Sequence, residues 1–217
     1  MGNFNTVVFD MDGTILDTLG DLTASVNYVL EKRGYPPRTR DEVKEIVGNG
    51  VINLLTLSLP EGIMPADFDV MLEEYLAHYK ENMHKKTAPF PGILALLKTL
   101  REKGYKIAVV SNKMDKAVQS LNQHYFGEYI KVAIGESEGV KRKPAPDSVF
   151  KALAELGAFA HSAVYVGDSE VDIKTAQNAG LPSIGVTWGF RDRSVLIEAG
   201  ADHIINAPEE ILGILDE

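Results

Sequence analysis

The sequence VVFDMDGT, residues 7–14, joins an apolar run directly to two closely spaced aspartates. Its first three residues lack the polar alternation of a half-exposed strand, which is typical of a strand buried on both faces of a parallel sheet. Asp10 and Asp12 follow at once, and carboxylates this close repel each other unless a cation or a shared proton compensates them. The stretch therefore predicts a buried strand that ends in a charged site.

Five further apolar runs along the chain resemble the first strand. They are KIAVV (106–110), a weaker segment at 130–134, AVYV (163–166), SIGV (183–186) and HIIN (203–206). Segments of helix length separate most of these runs, as expected for strands joined by helical crossovers. We therefore predict an α/β fold with a doubly wound parallel sheet.

Residues 17–83 interrupt this alternation because they predict helices only. Apolar residues recur at helical spacing over 19–30, 43–47, 51–57 and 68–79. A stretch of this length is far too long for a simple crossover between two strands. We therefore predict an inserted all-helical cap at 17–83 and an α/β core formed by 1–16 and 84–217.

Composition and charge narrow the classes of function. The chain has 22 basic and 31 acidic residues, and its net charge of −9 argues against binding to nucleic acid or to an anionic membrane. The absence of cysteine excludes disulfides, thiolate metal sites and a cysteine nucleophile. No window reaches the roughly 18 apolar residues that span a bilayer, and the N-terminus lacks a signal-peptide pattern. We expect a cytoplasmic protein that acts on small molecules, and the sequence leaves its oligomeric state open.

Polar side chains with catalytic potential follow the predicted strands or lie in the loops between them. In chain order they are Asp10, Asp12, Ser111, Asn112, Lys143, Asp168 and Asp172. Ligands of open α/β sheets bind at the carboxyl ends of the strands, so we expect these groups to converge there. If Asp168 opens a helix, the spacing of four residues puts Asp172 on the same helical face.

The charges of these groups indicate a metal and a phosphorylated substrate. Four aspartates face one lysine, Lys143, and such a site holds a divalent cation more easily than a bare anion. Mg²⁺ prefers carboxylate oxygens, water and substrate phosphate, and the site offers no imidazole or thiolate. With Mg²⁺ bound and one aspartate protonated, the charges cancel and a phosphate dianion can enter. Ser111 and nearby backbone amides can donate to its oxygens.

Four short motifs carry a resemblance to a known family. They are Asp10-x-Asp12-Gly13-Thr14, Ser111-Asn112, Lys143-Pro144-x-Pro146 and Gly167-Asp168-x-x-x-Asp172. In this order, and with a helical insert after the first, they resemble the four motifs of the haloacid dehalogenase superfamily. The match covers essentially the whole chain.

The resemblance implies a phosphatase and a role for each motif residue. Asp10 would be the nucleophile that forms an aspartyl-phosphate, and Asp12 the acid/base that protonates the leaving alcohol and then activates water. Thr14 and Ser111 would hold phosphoryl oxygens, and Lys143 would neutralise charge on the nucleophile and the phosphoryl group.

The remaining motif residues concern the metal and its surroundings. The resemblance implies that Asp168 binds Mg²⁺ together with the Asp10 carboxylate and the Asp12 backbone carbonyl. Asp172 is either an outer ligand through water or the residue that orients Lys143. Gly13 and Gly167 would support the site, and Asn112 would help to bind substrate.

Within the superfamily the chain most resembles phosphoglycolate phosphatases. The features are Val47-Gly48-Asn49-Gly50 in the cap, Pro89-Phe90-Pro91-Gly92 at the return to the core, and Thr187-Trp188-Gly189-Phe190 after SIGV. Gly48, Asn49 and Gly50 are therefore candidates for substrate contact, whereas Trp188 and Phe190 are predicted to be packing residues.

Other activities remain compatible with the same motifs. Similar helical caps occur in pyrophosphatases, in sugar-phosphate phosphatases and in β-phosphoglucomutases. Two alternatives belong to other classes of function, namely a phosphoacceptor signalling module and a non-catalytic protein that binds a phosphorylated metabolite. The inserted cap and the second acid, Asp12, argue against the signalling module.

Overall fold

A parallel sheet of six strands forms the centre of the computed structural model, which describes residues 4–216. In chain order, all strands of the described residues are β1 (Thr6–Phe9), β2 (Leu16–Asp17), β3 (Ala88–Pro89), β4 (Lys106–Met114), β5 (Val132–Glu136), β6 (Ala163–Gly167), β7 (Ser183–Val186) and β8 (His203–Ile205). The sheet has the order β5-β4-β1-β6-β7-β8, while β2 and β3 pair separately as a short antiparallel ribbon. The predicted doubly wound parallel sheet is confirmed.

The strand predictions are confirmed with small shifts at the ends. The weaker segment at 130–134 forms β5 two residues later, and β4 continues to Met114, past the predicted end at Val110. The extension arises because pairing with β5 shifts register after Val110 and resumes between Met114 and Glu136. Ser111 and Asn112 therefore belong to the last part of a strand, not to a loop after it.

Helices cover both faces of the sheet and fill the predicted insertion. Within residues 4–216 they are α1 (Leu19–Glu31), α2 (Arg40–Ile46), α3 (Val51–Ser58), α4 (Phe68–Asn82), α5 (Ile93–Glu102), α6 (Asp115–Phe126), α7 (Asp147–Leu156), α8 (Glu170–Ala179), α9 (Arg193–Glu198) and α10 (Ile211–Leu215), with short 3₁₀ turns at Ala160–Ser162 and Pro208–Glu210. None of the helices described is both long and apolar enough to cross a membrane.

The alternation of side chains along β1 divides the core into two layers. Val7 and Phe9 pack in a cluster that continues into α1, α3 and α4, whereas Val8 faces the opposite layer with Val149 and Ala176. All three β1 residues are fully buried, as expected for a strand covered on both faces.

A buried carboxylate, Asp21, ties the helical insertion to the segment that returns to the sheet. It is 1% exposed and accepts hydrogen bonds from the backbone amides of Lys86 and Thr87 and from the Thr87 hydroxyl. The antiparallel ribbon lies at the same junction. The exact division into a core at 1–16 and 84–217 and a cap at 17–83 stays a prediction, and its outermost residues, 1–3 and 217, lie outside the described part.

The strand order determines where a ligand can bind. The first strand, β1, lies between β4 and β6: the chain adds β4 and β5 on one side of β1 and then crosses to add β6, β7 and β8 on the other. Such a switch point opens a crevice at the carboxyl ends of the strands. Asp10 after β1, Ser111 in β4 and Asp168 after β6 lie at this edge.

Candidate active site

A buried lysine, Lys143, stands at the centre of the site and holds two carboxylates. Its Nζ lies 2.6 Å from Asp10 Oδ1 and 2.7 Å from Asp172 Oδ1. It also lies 3.1 Å from the hydroxyl of Tyr165, which itself donates to Asp172 Oδ1 at 3.0 Å. The lysine side chain is only 4% exposed, so these short contacts are shielded from solvent.

The protonation equilibria of this cluster follow from burial and from charge. Burial alone lowers the pKa of Lys143, but the charges of Asp10 and Asp172 outweigh it and raise that pKa well above its usual value. Burial first, and then the charge of Asp172, raise the pKa of Asp10 well above its usual value, with Lys143 opposing them. The lysine therefore stays positively charged, and its single charge does not neutralise the negative charge of the carboxylates around it.

Asp168 lies beside this cluster and accepts hydrogen bonds from two neighbours. Its Oδ1 accepts from the Thr14 hydroxyl at 3.1 Å, and its Oδ2 accepts from the backbone amide of Phe190 at 2.6 Å. Burial and the charge of Asp172 raise the pKa of Asp168 to about 7, against the opposing effect of these two hydrogen bonds.

The donor set fits a hard divalent cation. Oxygens of Asp10, Asp168 and Asp172 lie within 4.8 Å of one another, and all three residues are buried. Carboxylate oxygens suit Mg²⁺, Ca²⁺ or Mn²⁺ better than softer metals. Because three carboxylates share the single ammonium of Lys143, a cation would also relieve the repulsion that raises the pKa values of Asp10 and Asp168.

Asp12, the second acid of the opening motif, pairs with a different lysine. Its Oδ1 accepts from the Thr18 hydroxyl at 2.6 Å, and its Oδ2 lies 3.2 Å from the Nζ of Lys113. The side chains of Asp12 and Lys113 are 13% and 8% exposed. The predicted charge balance omitted Lys113, so the structure adds one positive charge and separates the two aspartates of the motif into different ion pairs.

Two glycines allow the acidic residues to approach the backbone. A Cβ at Gly13, where φ is +88°, would lie 2.3 Å from an Asp168 oxygen, and one at Gly167 would lie 2.2 Å from the Cβ of Asp172. Both distances are shorter than any contact that real side chains make, so only glycine fits. The predicted supporting role of Gly13 and Gly167 therefore has a steric explanation.

Ser111 and Asn112 have different environments at the end of β4. The Ser111 oxygen accepts from the backbone amide of Lys113 at 3.2 Å, which leaves the hydroxyl proton to donate elsewhere. The Asn112 amide joins two loops, because it donates to the carbonyls of Gly48 and Lys143 and accepts from the Lys143 amide at 2.8 Å. Asn112 therefore holds the loop of Lys143 and the cap turn together.

A cavity of about 530 Å³ opens over these side chains. Asp10, Asp12, Ser111, Lys143 and Asp168 lie on the side formed by the sheet, while α3, α4 and α6 contribute other walls. This volume is within the range of small-molecule sites in enzymes. The candidate residues from the four motifs thus meet at one concave site.

Some predicted site residues lie elsewhere. Thr14 and Asp172 are buried and do not line the cavity among the described residues: the Thr14 hydroxyl contacts Asp168, and Asp172 contacts Lys143. Gly48 and Gly50 line the cavity, whereas Asn49 is exposed and does not. The expected contact of Thr14 with phosphoryl oxygens is not supported by this placement, since its hydroxyl already binds a carboxylate.

The loop after β7 connects Asp168, a candidate metal ligand, with the cap. Trp188 donates from Nε1 to the Thr14 carbonyl at 2.9 Å, and Phe190 donates its amide to Asp168. Arg191 reaches across to the end of α2, where it donates to the carbonyls of Lys44 at 2.7 Å and Val47 at 2.8 Å. The packing role predicted for Trp188 and Phe190 is incomplete, because both also bond to the site.

Sequence reasoning assigned no role to four residues of the site: Lys113, which it noted beside Ser111 and Asn112, and Tyr165, Thr18 and Arg191. The tyrosine hydroxyl carries a signal in the sequence, because a polar tip within the buried run AVYV needs a partner. Lys113 directly follows the motif residue Asn112, but lysines are common on protein surfaces, so the sequence alone does not place it in a site. Thr18 and Arg191 offer no local signal, since their partners lie on other elements.

Comparison with known proteins gives a family and close relatives. Residues 7–186 match the family model described as haloacid dehalogenase-like hydrolase. A phosphoglycolate phosphatase of Agrobacterium fabrum is 33% identical over 203 residues, which are 92% of this chain and 87% of the relative. A phosphoglycolate phosphatase of Aquifex aeolicus is 30% identical, with 97% of this chain and 96% of the relative covered.

A solved structure extends the similarity to the full chain. A crystal structure from Lactobacillus delbrueckii subsp. bulgaricus, provisionally described as a phosphoglycolate phosphatase, superposes with a TM-score of 0.93. It is 39% identical in sequence, and the match covers 100% of both chains. The two proteins therefore share the same fold.

Proposed function

Because the chain belongs to the haloacid dehalogenase-like hydrolase family, we propose that it hydrolyses a small phosphorylated acid, phosphoglycolate or a close analogue, with Mg²⁺ as its metal. The family and the relatives support the reaction class, a phosphoric monoester hydrolase. The observation that carries the proposal is the cluster of Asp10, Lys143 and Asp168 beneath a cavity of substrate size. The proposed partner is a small phosphorylated metabolite, and a cytoplasmic location stays a prediction.

Asp10 is the proposed nucleophile. Within residues 4–216 only Lys143 donates to its carboxylate, at Oδ1, so Oδ2 is free to attack phosphorus. Attack forms a bond between Oδ2 and phosphorus while the bond to the ester oxygen breaks, which yields an aspartyl-phosphate and an alcohol. Lys143 stabilises the charge that builds up on the transferred group, and Ser111 donates to one of its oxygens.

Asp12 is the proposed acid and base. Its carboxylate lines the same cavity and is held by Thr18 and Lys113. It donates a proton to the departing alkoxide and then removes one from the water that hydrolyses the aspartyl-phosphate. Two carboxylates two residues apart thus take different roles because they have different partners.

Asp168 and Asp10 are the proposed protein ligands of the metal, with the backbone carbonyl of Asp12. When bound, Mg²⁺ supplies positive charge that compensates the carboxylates and the phosphoryl oxygens. The contacts of Asp172 support the orienting role: one oxygen binds Lys143 and Tyr165, and the other accepts from Ser169. Because one of these oxygens holds the Lys143 ammonium itself, we propose Asp172 as the residue that orients Lys143.

Activation by Mg²⁺ is expected to weaken as the pH falls. The raised pKa of Asp168, about 7, means that a proton competes with the metal for this carboxylate below neutral pH. Between pH 8 and pH 6 the Mg²⁺ concentration for half-maximal activity should therefore rise by about tenfold or more. Activity measured against Mg²⁺ concentration at each pH, after removal of metal by a chelator, checks this prediction.

Two results would contradict the metal assignment. One is full activity in excess chelator, because the acidic cluster would then function without a cation. The other is a half-maximal Mg²⁺ concentration that does not change between pH 8 and pH 6. Asp168→Ala provides the matched variant, and it should remove most of the activation by Mg²⁺.

A panel of phosphorylated metabolites tests the proposed substrate. We expect kcat/KM to be highest for phosphoglycolate and lower for hexose phosphates, nucleotides and pyrophosphate. The observations that support this order are the relatives named above and the basic side chains around the cavity. A clear preference for hexose phosphates or for pyrophosphate would overturn the substrate and favour the sugar-phosphate, mutase or pyrophosphatase alternatives.

A further inference from the structure

Lys113 lies in the cavity beside the reacting groups, yet the proposed chemistry leaves it without a role. It is the residue after Ser111 and Asn112 in β4, and its Nζ lies 3.2 Å from Asp12 Oδ2. The same Nζ lies over the ring of Tyr79, 4.7 Å from the ring centroid. A lysine this buried is uncommon at a site that is already rich in charge.

The capacity of Lys113 to donate hydrogen bonds exceeds what its neighbours use. An ammonium has three N–H donors, and within residues 4–216 one carboxylate, that of Asp12, contacts it. Lys113 lines the cavity, so its remaining donors are available to a ligand there. Buried donors without partners are costly, so this wall of the cavity suits a ligand with acceptor atoms.

The position of Lys113 matches the chemistry of a phosphorylated hydroxy acid. The proposed role of Asp12 places the ester oxygen of the substrate next to its carboxylate, and Lys113 lies directly beside that carboxylate. In a 2-phosphorylated hydroxy acid the carboxylate carbon is two covalent bonds from the ester oxygen. A carboxylate attached there therefore comes within reach of the ammonium.

Acidic and basic side chains occupy different parts of the cavity wall. Within the described part of the chain, its acidic lining residues are those of the reaction centre, Asp10, Asp12 and Asp168. Away from that centre the charged lining residues are basic and include Lys80, Lys116 and Arg191. An anionic group on the leaving side of the substrate would meet a favourable potential there.

We propose that Lys113 binds the carboxylate of the leaving group and thereby selects phosphorylated hydroxy acids. The inference rests on the proposed function and deepens it, because it assigns the recognition of the acid to one residue of β4. The ring of Tyr79, on α4, packs against the ammonium and helps to hold it in place.

The test compares two substrates that differ only at the carboxylate. Phosphoglycolate and ethyl phosphate have alkoxide leaving groups that both require protonation, so a disturbance of Asp12 affects both alike. Lys113→Met should lower the ratio of their kcat/KM values by at least about tenfold. Tyr79→Phe, which keeps the ring over which the ammonium lies, should leave the ratio within about twofold.

The control removes an equal charge from the surface outside the cavity. Lys151 is exposed on α7 and is not among the described lining residues, so Lys151→Met should leave the ratio of kcat/KM for the two substrates within about twofold. Circular dichroism screens each variant for folding. If Lys113→Met does not fold, Lys113→Gln carries the same comparison.

The outcomes separate the inference from the function on which it rests. If the unmodified protein prefers phosphoglycolate and Lys113→Met keeps that preference, Lys113 is not the carboxylate site and the proposed substrate stands. If the unmodified protein shows no preference for phosphoglycolate over ethyl phosphate, both the substrate and the assignment of Lys113 are wrong.

Discussion

Replacing Asp10 by Asn is expected to abolish turnover of every phosphomonoester, with a loss of about 10⁴-fold or more. An amide cannot form the acyl-phosphate, so no substrate, however good its leaving group, avoids the loss. The fold should persist because the change is nearly isosteric and Lys143 keeps its contact with Asp172. Steady-state rates with p-nitrophenyl phosphate and with phosphoglycolate measure the effect.

The controls separate loss of the nucleophile from loss of a charge. Asp69→Asn makes the same chemical change on the exposed face of α4 and should leave the rate within about twofold. Asp10→Ala cannot regenerate the carboxylate by deamidation and should be equally inactive. Substantial activity in both Asp10 variants would show that Asp10 is not the nucleophile.

The convergence of the motifs could be predicted because it depends on the topology of the sheet. Once the apolar runs are assigned to parallel strands, the residues that follow them must lie at one edge, whatever the loops do. Asp10 and Asp168 are placed in this way, and their contacts follow from being buried beside Lys143. The assignment of parallel strands, together with the pattern of charged residues after them, was therefore sufficient to predict the centre of the site.

The partners of individual side chains could not be predicted in the same way. Asp12 binds Lys113 and Thr18, and which of its neighbours it faces depends on the path of β4 after Val110, where the register with β5 shifts. The contact between Lys113 and Tyr79 depends on how closely α4 approaches the sheet. Neither the path of β4 nor the position of α4 is determined by local sequence, since both result from the packing of elements far apart in the chain.

Replacing Asp12 by Asn is expected to separate the two steps of the reaction. The variant keeps the nucleophile and an oxygen that can accept from Thr18, but it loses the proton carrier, a loss of roughly 10²–10⁴-fold in general acid–base catalysis. An alkyl phosphate needs that proton for its leaving group, whereas p-nitrophenolate hardly does. The first step should therefore slow far more with alkyl phosphates than with p-nitrophenyl phosphate.

The second step supplies the measurement, because hydrolysis of the aspartyl-phosphate still needs a base to activate water. With p-nitrophenyl phosphate the Asp12→Asn variant should release a burst of about one equivalent of p-nitrophenolate per site and then turn over slowly. Mass spectrometry after a rapid acid quench should find one phosphoryl group on the peptide that contains Asp10. Asp10→Asn, used as the matched control, should show neither the burst nor the modified peptide. The contrary result is that Asp12→Asn slows both substrates equally and no phosphorylated protein accumulates. Asp10 and Asp12 would then not have separate roles in attack and proton transfer. Their separate ion pairs with Lys143 and Lys113 would have no catalytic meaning.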